Sequence, residues 1–229
     1  MNKKRERLII SIVVLLIISL TIYFLTSNNR NKEKIIDKVL DINSSTINED
    51  KNRDTKILIA YFSRAGENYS VGKVEKGNTQ IMAENISKLT GGTLYEIEPV
   101  NPYPTNYEEA KKQASEELNT NARPKIKTVI DNFDGYDVVF IGYPIWSGNY
   151  PMIINTFMES YDFRNKIVIP FNTHEGSGSS GTYEKIKAKL SSATVLNGLA
   201  VRGKDAREET SQKTIEFWLN NLDLLREEK

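Results

Sequence analysis

From Lys56 onward, short runs of β-branched and aromatic residues alternate with longer amphipathic stretches. Alternation at this spacing is typical of βαβ units, in which helices join parallel strands and cover both faces of a sheet. The pattern predicts five strands, at residues 56–62, 93–98, 137–143, 166–171 and 194–201. We therefore expect an α/β domain built on a doubly wound, five-stranded parallel sheet.

The stretches between these runs carry apolar residues at helical spacing. They predict helices at residues 78–90, 106–119, 150–160, 182–190 and 207–222. In the last helix, Ile215, Trp218 and Leu219 share one face. Trp218 is accordingly interpreted as a core residue rather than a ligand contact.

The N-terminal segment has the composition of a membrane anchor. Four basic residues precede an uncharged run of 18 residues from Leu8 to Leu25, the lower limit for a helix that spans a bilayer. This arrangement predicts an uncleaved signal anchor over residues 1–26, with the N-terminus in the cytoplasm. A cleaved signal peptide is the alternative, although Thr26-Ser27-Asn28 is a poor cleavage site.

A polar tether over residues 27–55 separates this anchor from the α/β domain over 56–229. The expected location is the cell membrane, with a single pass and an extracytoplasmic C-terminal domain. If the orientation is reversed, the domain faces the cytoplasm, where a nicotinamide donor is available to a reductase. Protease accessibility on intact cells distinguishes the two orientations.

Composition excludes several kinds of chemistry. The chain has no cysteine, which removes dithiol redox chemistry and thiolate metal sites, so any electrons must travel on a bound cofactor. The single histidine, His174, excludes metal sites built from several imidazoles, and no metal site is predicted. A net charge of +1, spread along the chain, gives no sign of nucleic-acid binding.

The loop after the first strand has the composition of an anion site. The strand ends in Ser63, Arg64, Gly66 and Asn68, and Lys76-Gly77-Asn78-Thr79 then opens a helix. Such residues turn backbone N–H groups toward a phosphate at a helix N-terminus. Gly72 and Gly77 have the glycine spacing of a P-loop, but Asn78 stands where a P-loop has Lys, and the G-x-G-x-x-G dinucleotide fingerprint is absent. The loop therefore favours a monophosphate. The alternative is an ordinary helix start capped by Asn78 or Thr79.

Two further loops follow the third and fourth predicted strands. Residues 143–151 place Trp146 at a strand end, where a planar aromatic ligand is its natural partner. Residues 172–181 are rich in Gly and Ser, so their N–H groups can approach a polar ring edge. Alternatively, Trp146 packs on a neighbouring loop and the Gly/Ser run is a flexible turn. Because strand ends converge in such sheets, the three loops together describe a flavin mononucleotide (FMN) site.

From Lys56 onward the chain resembles the flavodoxin-like family, and in particular the bacterial flavodoxin branch with an extended phosphate loop. The matching segments are YFSRAGENY at 61–69, GNT at 77–79, GYPIW at 142–146, FMESYDF at 157–163 and PFNTHEGSG at 170–178. Their order and spacing cover nearly the whole domain. The resemblance implies strand order 2-1-3-4-5 with helices on both faces.

The same resemblance implies noncovalent FMN and a set of residues that bind it. The phosphate loop comprises Ser63, Arg64, Gly66, Asn68, Asn78 and Thr79. The residues expected to line the isoalloxazine ring are Pro144, Ile145, Trp146 and Ser147. The residues expected at its polar edge are Thr173, His174, Glu175, Gly176 and Gly178.

The expected function is that of a membrane-anchored flavoprotein that carries electrons to a redox partner protein or reduces a small acceptor such as a quinone. The alternative is a flavodoxin-fold binding module that has lost its FMN. His174 is a candidate proton donor, although loop packing is the preferred interpretation of this residue. No G-x-S-x-G elbow follows a strand, which disfavours a hydrolase.

Overall fold

The computed structural model describes residues 55–222, so the predicted anchor over 1–26 and the tether as far as residue 54 lie outside the described residues. The strands are β1 Ile57–Tyr61, β2 Gly66–Asn68, β3 Gly72–Val74, β4 Thr93–Glu96, β5 Val138–Pro144, β6 Ile167–His174, β7 Thr194–Val195 and β8 Leu199–Arg202. The helices are α1 Asn78–Thr90, α2 Tyr107–Asn119, α3 Ile153–Ser160, α4 Thr182–Lys189 and α5 Thr210–Asn220. Within residues 55–222, every helix is too short or too polar to cross a bilayer.

The main sheet is parallel and has the order β4-β1-β5-β6-β7, with β8 also paired to β6. Renumbered along the sheet-forming strands, this is the predicted order 2-1-3-4-5. The reversal of strand order lies between β1 and β5, whose register aligns Leu58 with Val139 and Tyr61 with Gly142. The predicted doubly wound α/β fold is confirmed.

Both faces of the sheet are buried under helices. Along β1, Leu58 and Ala60 contribute to one core, and Ile59 and Tyr61 to the other. Helices α3 and α4 cover the first face, whereas α1 and α5 cover the second. As predicted, Trp218 belongs to a core, with its ring centroid 5.8 Å from that of Phe140.

The last predicted strand, 194–201, is wrong as a single element because it is divided into β7 and β8. Between Val168 and Phe171, β6 advances by three residues while its neighbour advances by four, from Val195 to Leu199. The extra residue lies opposite Pro170, which has no N–H group to donate to the edge of the sheet. A bulge therefore interrupts the edge strand.

Other elements also differ from the sequence prediction; α3, for example, begins at Ile153 rather than at residue 150. The loop after β1 contains an antiparallel hairpin of β2 and β3 that the sequence pattern does not predict. The last helix begins at Thr210 rather than at residue 207, because Asp205–Arg207 forms a separate 3₁₀ turn. The hairpin matters for the site, because it lies beside the carboxyl end of β1.

Candidate functional site

A cavity of about 260 Å³ opens at the carboxyl ends of β1, β5 and β6. The three loops that the sequence singled out converge on it. The predicted residues that line the cavity are Ser63, Arg64, Asn68, Asn78, Thr79, Pro144, Ile145, Trp146, Ser147, Thr173, His174 and Glu175. Gly66, Gly176 and Gly178 do not line it.

Helix α1 begins at the floor of this cavity. Its N-cap residue is Gly77 rather than Asn78 or Thr79. The capping hydrogen bond comes from a residue distant in sequence, because Ser63 Oγ accepts from the backbone N–H of Gln80 at 3.1 Å. A Cβ on Gly77 would lie 2.2 Å from Ser63 Oγ, so only glycine permits this contact. The N–H groups of the first helical residues have no partner one turn earlier, and together with the helix dipole they favour an anion.

Arg64 ties the first loop to the chain before α2. Its Nη1 donates to the carbonyls of Pro104 and Thr105 at 2.8 and 3.2 Å, and its Nη2 donates to the carbonyl of Glu67. Its Nε is buried and is one of the few buried side-chain nitrogens or oxygens in residues 55–222 without a hydrogen-bond partner. Burial also lowers the pKa of the guanidinium, with Glu67 and Tyr107 opposing this shift. One buried donor of this cavity-lining residue is thus left unpaired.

Two further contacts fix the floor. The hydroxyls of Thr79 and Thr173 are buried and lie 2.8 Å apart, which joins α1 to β6. Asn78 Oδ1 accepts from Arg207 Nη1 at 3.0 Å. A Cβ on Gly203 would fall 2.2 Å from Asn78 Nδ2, so this glycine allows the chain after β8 to approach the start of α1 closely.

Trp146 opens a tight turn at the end of β5. Its backbone exchanges two hydrogen bonds with Asn149, and the two residues between them, Ser147 and Gly148, have φ angles of 49° and 71°. Positive φ at both central positions is the pattern of a type I′ turn. The turn holds the half-buried indole at the cavity wall.

The indole also packs against neighbouring rings, as the alternative interpretation of Trp146 predicts. Its centroid lies 5.3 Å from that of Phe62 and 5.0 Å from that of Tyr103, in nearly perpendicular arrangements. Tyr103 is buried, and its hydroxyl donates to Glu117 Oε2 at 2.6 Å. Tyr103 therefore fixes one side of the indole and is itself fixed by α2.

The third loop presents His174 as a neutral donor. Its Nδ1 accepts from the backbone N–H of Gly176 at 2.9 Å, which leaves the proton on Nε2. Burial lowers the pKa of the imidazole, the positive charge of Arg202 lowers it further, and Asp205 opposes both. His174 is therefore uncharged at neutral pH. The N–H of Gly176 is engaged in this bond and does not face the cavity.

Glu175 is the acidic group beside it. Burial raises the pKa of this carboxyl, while Arg202, a hydrogen bond from Ser70 and Lys204 lower it, and Asp205 raises it. Gly178 takes a φ of 61° and its carbonyl accepts from Asn172 Nδ2 at 3.1 Å, so it shapes the loop from behind. Gly66 similarly packs against Thr105, outside the cavity.

Sequence reasoning missed one wall of the cavity. The additional lining residues are Tyr69, Tyr107, Ala110, Lys111, Ala114, Gly148, Ser177 and Gly203. Four of these follow the i, i+3, i+4, i+7 spacing along α2, from Tyr107 to Ala114, which is one face of a helix. That spacing is present in the sequence, but these small and polar residues do not form an apolar stripe, which is the pattern that indicates a buried helix face.

Comparisons with known proteins agree with this architecture. A model of the flavodoxin family matches residues 56–222. A protein from Bacteroides eggerthii described as a flavoprotein is 34% identical, with a TM-score of 0.60 over 73% of this chain and 98% of its own. One from Bacteroides uniformis, with the same description, is 28% identical with a TM-score of 0.60, over 73% of this chain and 99% of its own.

A flavoprotein from Lactobacillus acidophilus, solved in complex with FMN, shares the fold at 22% identity and a TM-score of 0.53. The alignment covers 64% of this chain and 93% of that one. No curated protein sequence matches the chain.

Proposed function

The chain belongs to the flavodoxin family, and on that basis we propose that its α/β domain binds FMN noncovalently and either carries electrons or reduces a small acceptor such as a quinone. The observation that carries the proposal is the convergence of three strand-end loops on one cavity, with a free helix start at its floor and an indole at its wall. The FMN complex of the Lactobacillus acidophilus protein of the same fold supports the choice of nucleotide.

The floor of the cavity fits a phosphate monoester. Asn78 and Thr79 are the first residues of α1, where N–H groups and the helix dipole favour a doubly charged anion. Arg64 also lines the cavity, and its positive charge favours an anion there. These groups are the ones assigned to hold the phosphate.

The upper part of the cavity fits a planar, partly polar ring system. Pro144, Ile145 and Trp146 supply flat apolar surface, and neutral His174 supplies one N–H donor at Nε2. Bound FMN supplies one- and two-electron redox chemistry, while the chain binds and orients it and limits its contact with water. A neutral imidazole can donate a hydrogen bond without adding a fixed positive charge.

The test is uptake of FMN by the purified full-length chain in mild detergent. We expect a yellow protein whose flavin absorbance bleaches on addition of dithionite. The stripped protein should bind FMN more tightly than riboflavin by at least about tenfold, since the phosphate adds charge-assisted hydrogen bonds. A colourless chain that takes up neither compound would instead favour the binding module without flavin.

We further propose that residues 1–26 anchor the protein in the cell membrane with the α/β domain outside. The support lies in the sequence, where four basic residues within 3–7 precede the uncharged run of residues 8–25. Protease added to intact cells should remove the domain. Protection of the domain until the cells are lysed would reverse the orientation and favour a cytoplasm-facing reductase.

A further inference from the structure

The loop between β1 and α1 carries the hairpin of β2 and β3, whose tip consists of Tyr69, Ser70 and Val71. The base of the hairpin is fixed to the start of α2. Glu67 donates its N–H to the carbonyl of Thr105 at 2.8 Å, and its Oε2 accepts from the N–H of Tyr107 at 3.2 Å. The hairpin is therefore a supported element rather than a free loop.

The tip reaches groups on two sides of the cavity. On one side, the ring of Tyr69 lies 6.0 Å from that of Tyr107 on α2, with an angle of 32° between the rings. On the other side, the Ser70 hydroxyl is close enough to the carboxyl of Glu175, in the loop after β6, to lower the pKa of that carboxyl. Both tyrosines and Glu175 line the cavity. The tip thus lies between α2 and the loop after β6.

We propose, on the basis of the proposed function, that this tip makes the site selective for small planar acceptors over redox partner proteins. A partner protein needs a broad contact, of several hundred Å² even for weak redox complexes, around the exposed edge of the cofactor. In this proposal the tip covers that edge, because Tyr69 both lines the cavity and is exposed at the surface. A small molecule needs only the opening beside it.

The same region has surface suited to a planar carbonyl compound. The Tyr69 side chain is 63% exposed, so its ring is available for stacking. Lys111 Nζ lies 5.8 Å from the centroid of Tyr107 and lines the cavity, where an ammonium can donate to a carbonyl oxygen. A quinone-type acceptor combines these features. It gains two electrons and two protons to form a hydroquinone, whereas a cytochrome haem gains one electron and no proton.

The hairpin can be shortened without disturbing its base. Deletion of residues 69–71 joins Asn68 directly to Gly72, and Asn-Gly is the preferred two-residue sequence for a tight hairpin turn. Glu67 and its contacts to α2 remain. As the matched control, Val71→Thr keeps the length of the tip and changes a residue that does not line the cavity.

The experiment uses full-length protein loaded with FMN and reduced anaerobically with one equivalent of dithionite. Oxidation is then followed by stopped flow with one equivalent of benzoquinone or two equivalents of cytochrome c. We expect the deletion to raise the second-order rate constant with cytochrome c about tenfold, because the encounter loses a steric constraint. The rate constant with benzoquinone should fall or stay unchanged, and Val71→Thr should behave as the parent.

A second variant tests stacking without altering the hairpin. Tyr69→Ser should lower the rate constant with benzoquinone about threefold to tenfold, as expected for loss of an aromatic contact of about 1 kcal/mol. Its rate constant with ferricyanide, which is not planar, should not change. This variant changes an exposed side chain, so it remains informative if the deletion variant does not fold.

The outcomes separate the inference from the function on which it rests. If the parent protein takes up FMN but the deletion leaves the cytochrome c rate constant unchanged, or raises both rate constants by the same factor, the selectivity proposal is wrong and the flavoprotein proposal stands. An unchanged benzoquinone rate in Tyr69→Ser contradicts the stacking role. If the parent takes up no FMN, both proposals are overturned.

Discussion

At the scale of single residues, the site depends on side chains held in one orientation by a neighbour. His174 is held by the N–H of Gly176, and Trp146 is held by Phe62 and Tyr103. Neither Gly176 nor Tyr103 lines the cavity. Substitutions behind the site should therefore change its properties as much as substitutions in its wall.

Titration of His174 tests the first of these contacts. Because burial lowers the pKa of the imidazole in the folded chain, the unfolded chain binds the proton at higher pH, so stability should fall as the pH drops below 6.5. Protonation of Nδ1 also removes the acceptor of the Gly176 N–H. The chain has one histidine, so its NMR signals are assigned without ambiguity. We expect a pKa below 6.5 and loss of Gly176 amide protection over the same range; a pKa at or above 6.5 contradicts the burial.

Substitution of Tyr103 tests the second contact. In a Trp218→Phe background Trp146 is the sole tryptophan, so its fluorescence anisotropy reports the mobility of the indole. Tyr103→Leu should lower this anisotropy and weaken FMN binding, and it should cost about 1–3 kcal/mol of stability as a poorly fitting core substitution. Tyr103→Phe keeps the ring and loses only the hydrogen bond to Glu117. Equal anisotropy in the two variants would show that Tyr103 does not position Trp146.

At the scale of elements, the proposed phosphate site is the start of α1. Ser63 caps this helix from the end of β1, so the same hydroxyl that supports the helix also borders the cavity. At the other end of α1, Ser87 Oγ donates to the carbonyl of Gly92 at 2.8 Å. Each serine hydroxyl thus makes one hydrogen bond to the backbone, and the two bonds lie at opposite ends of one helix.

This symmetry provides a controlled comparison. Ser63→Ala and Ser87→Ala should each lower the free energy of unfolding by about 1 kcal/mol, measured by urea titration of the stripped protein. Only Ser63→Ala should weaken FMN binding, by about threefold to tenfold, because it alone alters the N–H groups at the floor of the cavity. Equal FMN affinity in the two variants would place the phosphate away from this helix start.

Elements with a strong local pattern were the predictable ones. The central strands β1, β5 and β6 are nearly continuous apolar runs, and burial of both sheet faces imposes that pattern whatever the neighbouring strands contain. The break in the edge strand was not predictable from 194–201 alone, because its cause is Pro170 in the adjacent strand. The β2–β3 hairpin was missed because its six strand residues lie in a polar, glycine-rich segment.

The residues of the candidate site likewise divide into those that the local sequence predicts and those that depend on tertiary packing. Residues at or just beyond the ends of strands, such as Ser63, Trp146 and His174, were predictable as cavity residues, since strand ends meet at one edge of a parallel sheet. Tyr107 and Lys111 were not, because they reach the cavity from a helix face whose position depends on the packing of α2. The cap of α1 was also not predictable from the sequence, because its acceptor, Ser63 Oγ, lies 17 residues before Gln80, whose N–H it accepts.

At the scale of the whole domain, a cluster of charged side chains at the end of α3 joins three segments of the chain. Glu159 at the end of α3 accepts from Arg123 Nε at 2.6 Å and from Arg123 Nη2 at 2.9 Å, and also from Lys189 at 2.5 Å. Arg123 lies between α2 and β5, and Lys189 is the last residue of α4. One carboxylate thus connects three segments that are distant in sequence.

This cluster predicts an acid-sensitive component of stability. The hydrogen bonds from Arg123 and then from Lys189 lower the pKa of Glu159 to about 2, so the unfolded chain binds the proton first as the pH falls. The contribution is complete above pH 4.5 and is lost between pH 4.5 and about 2. Because the carboxylate is 42% exposed, we expect only about 0.5–1 kcal/mol from it at neutral pH.

Comparison of the parent with Glu159→Gln separates the contribution of Glu159 to the free energy of unfolding from the contributions of the other carboxylates. Urea unfolding at pH 7 should show the variant to be less stable by about 0.5–1 kcal/mol, and the difference should shrink as the pH falls from 4.5 toward 2. Glu98→Gln is the control, since Glu98 makes an exposed pair with Lys127 alone at 3.0 Å. A difference for Glu159→Gln that stays constant down to pH 2 would mean that the connection among the three segments does not depend on the charge of Glu159.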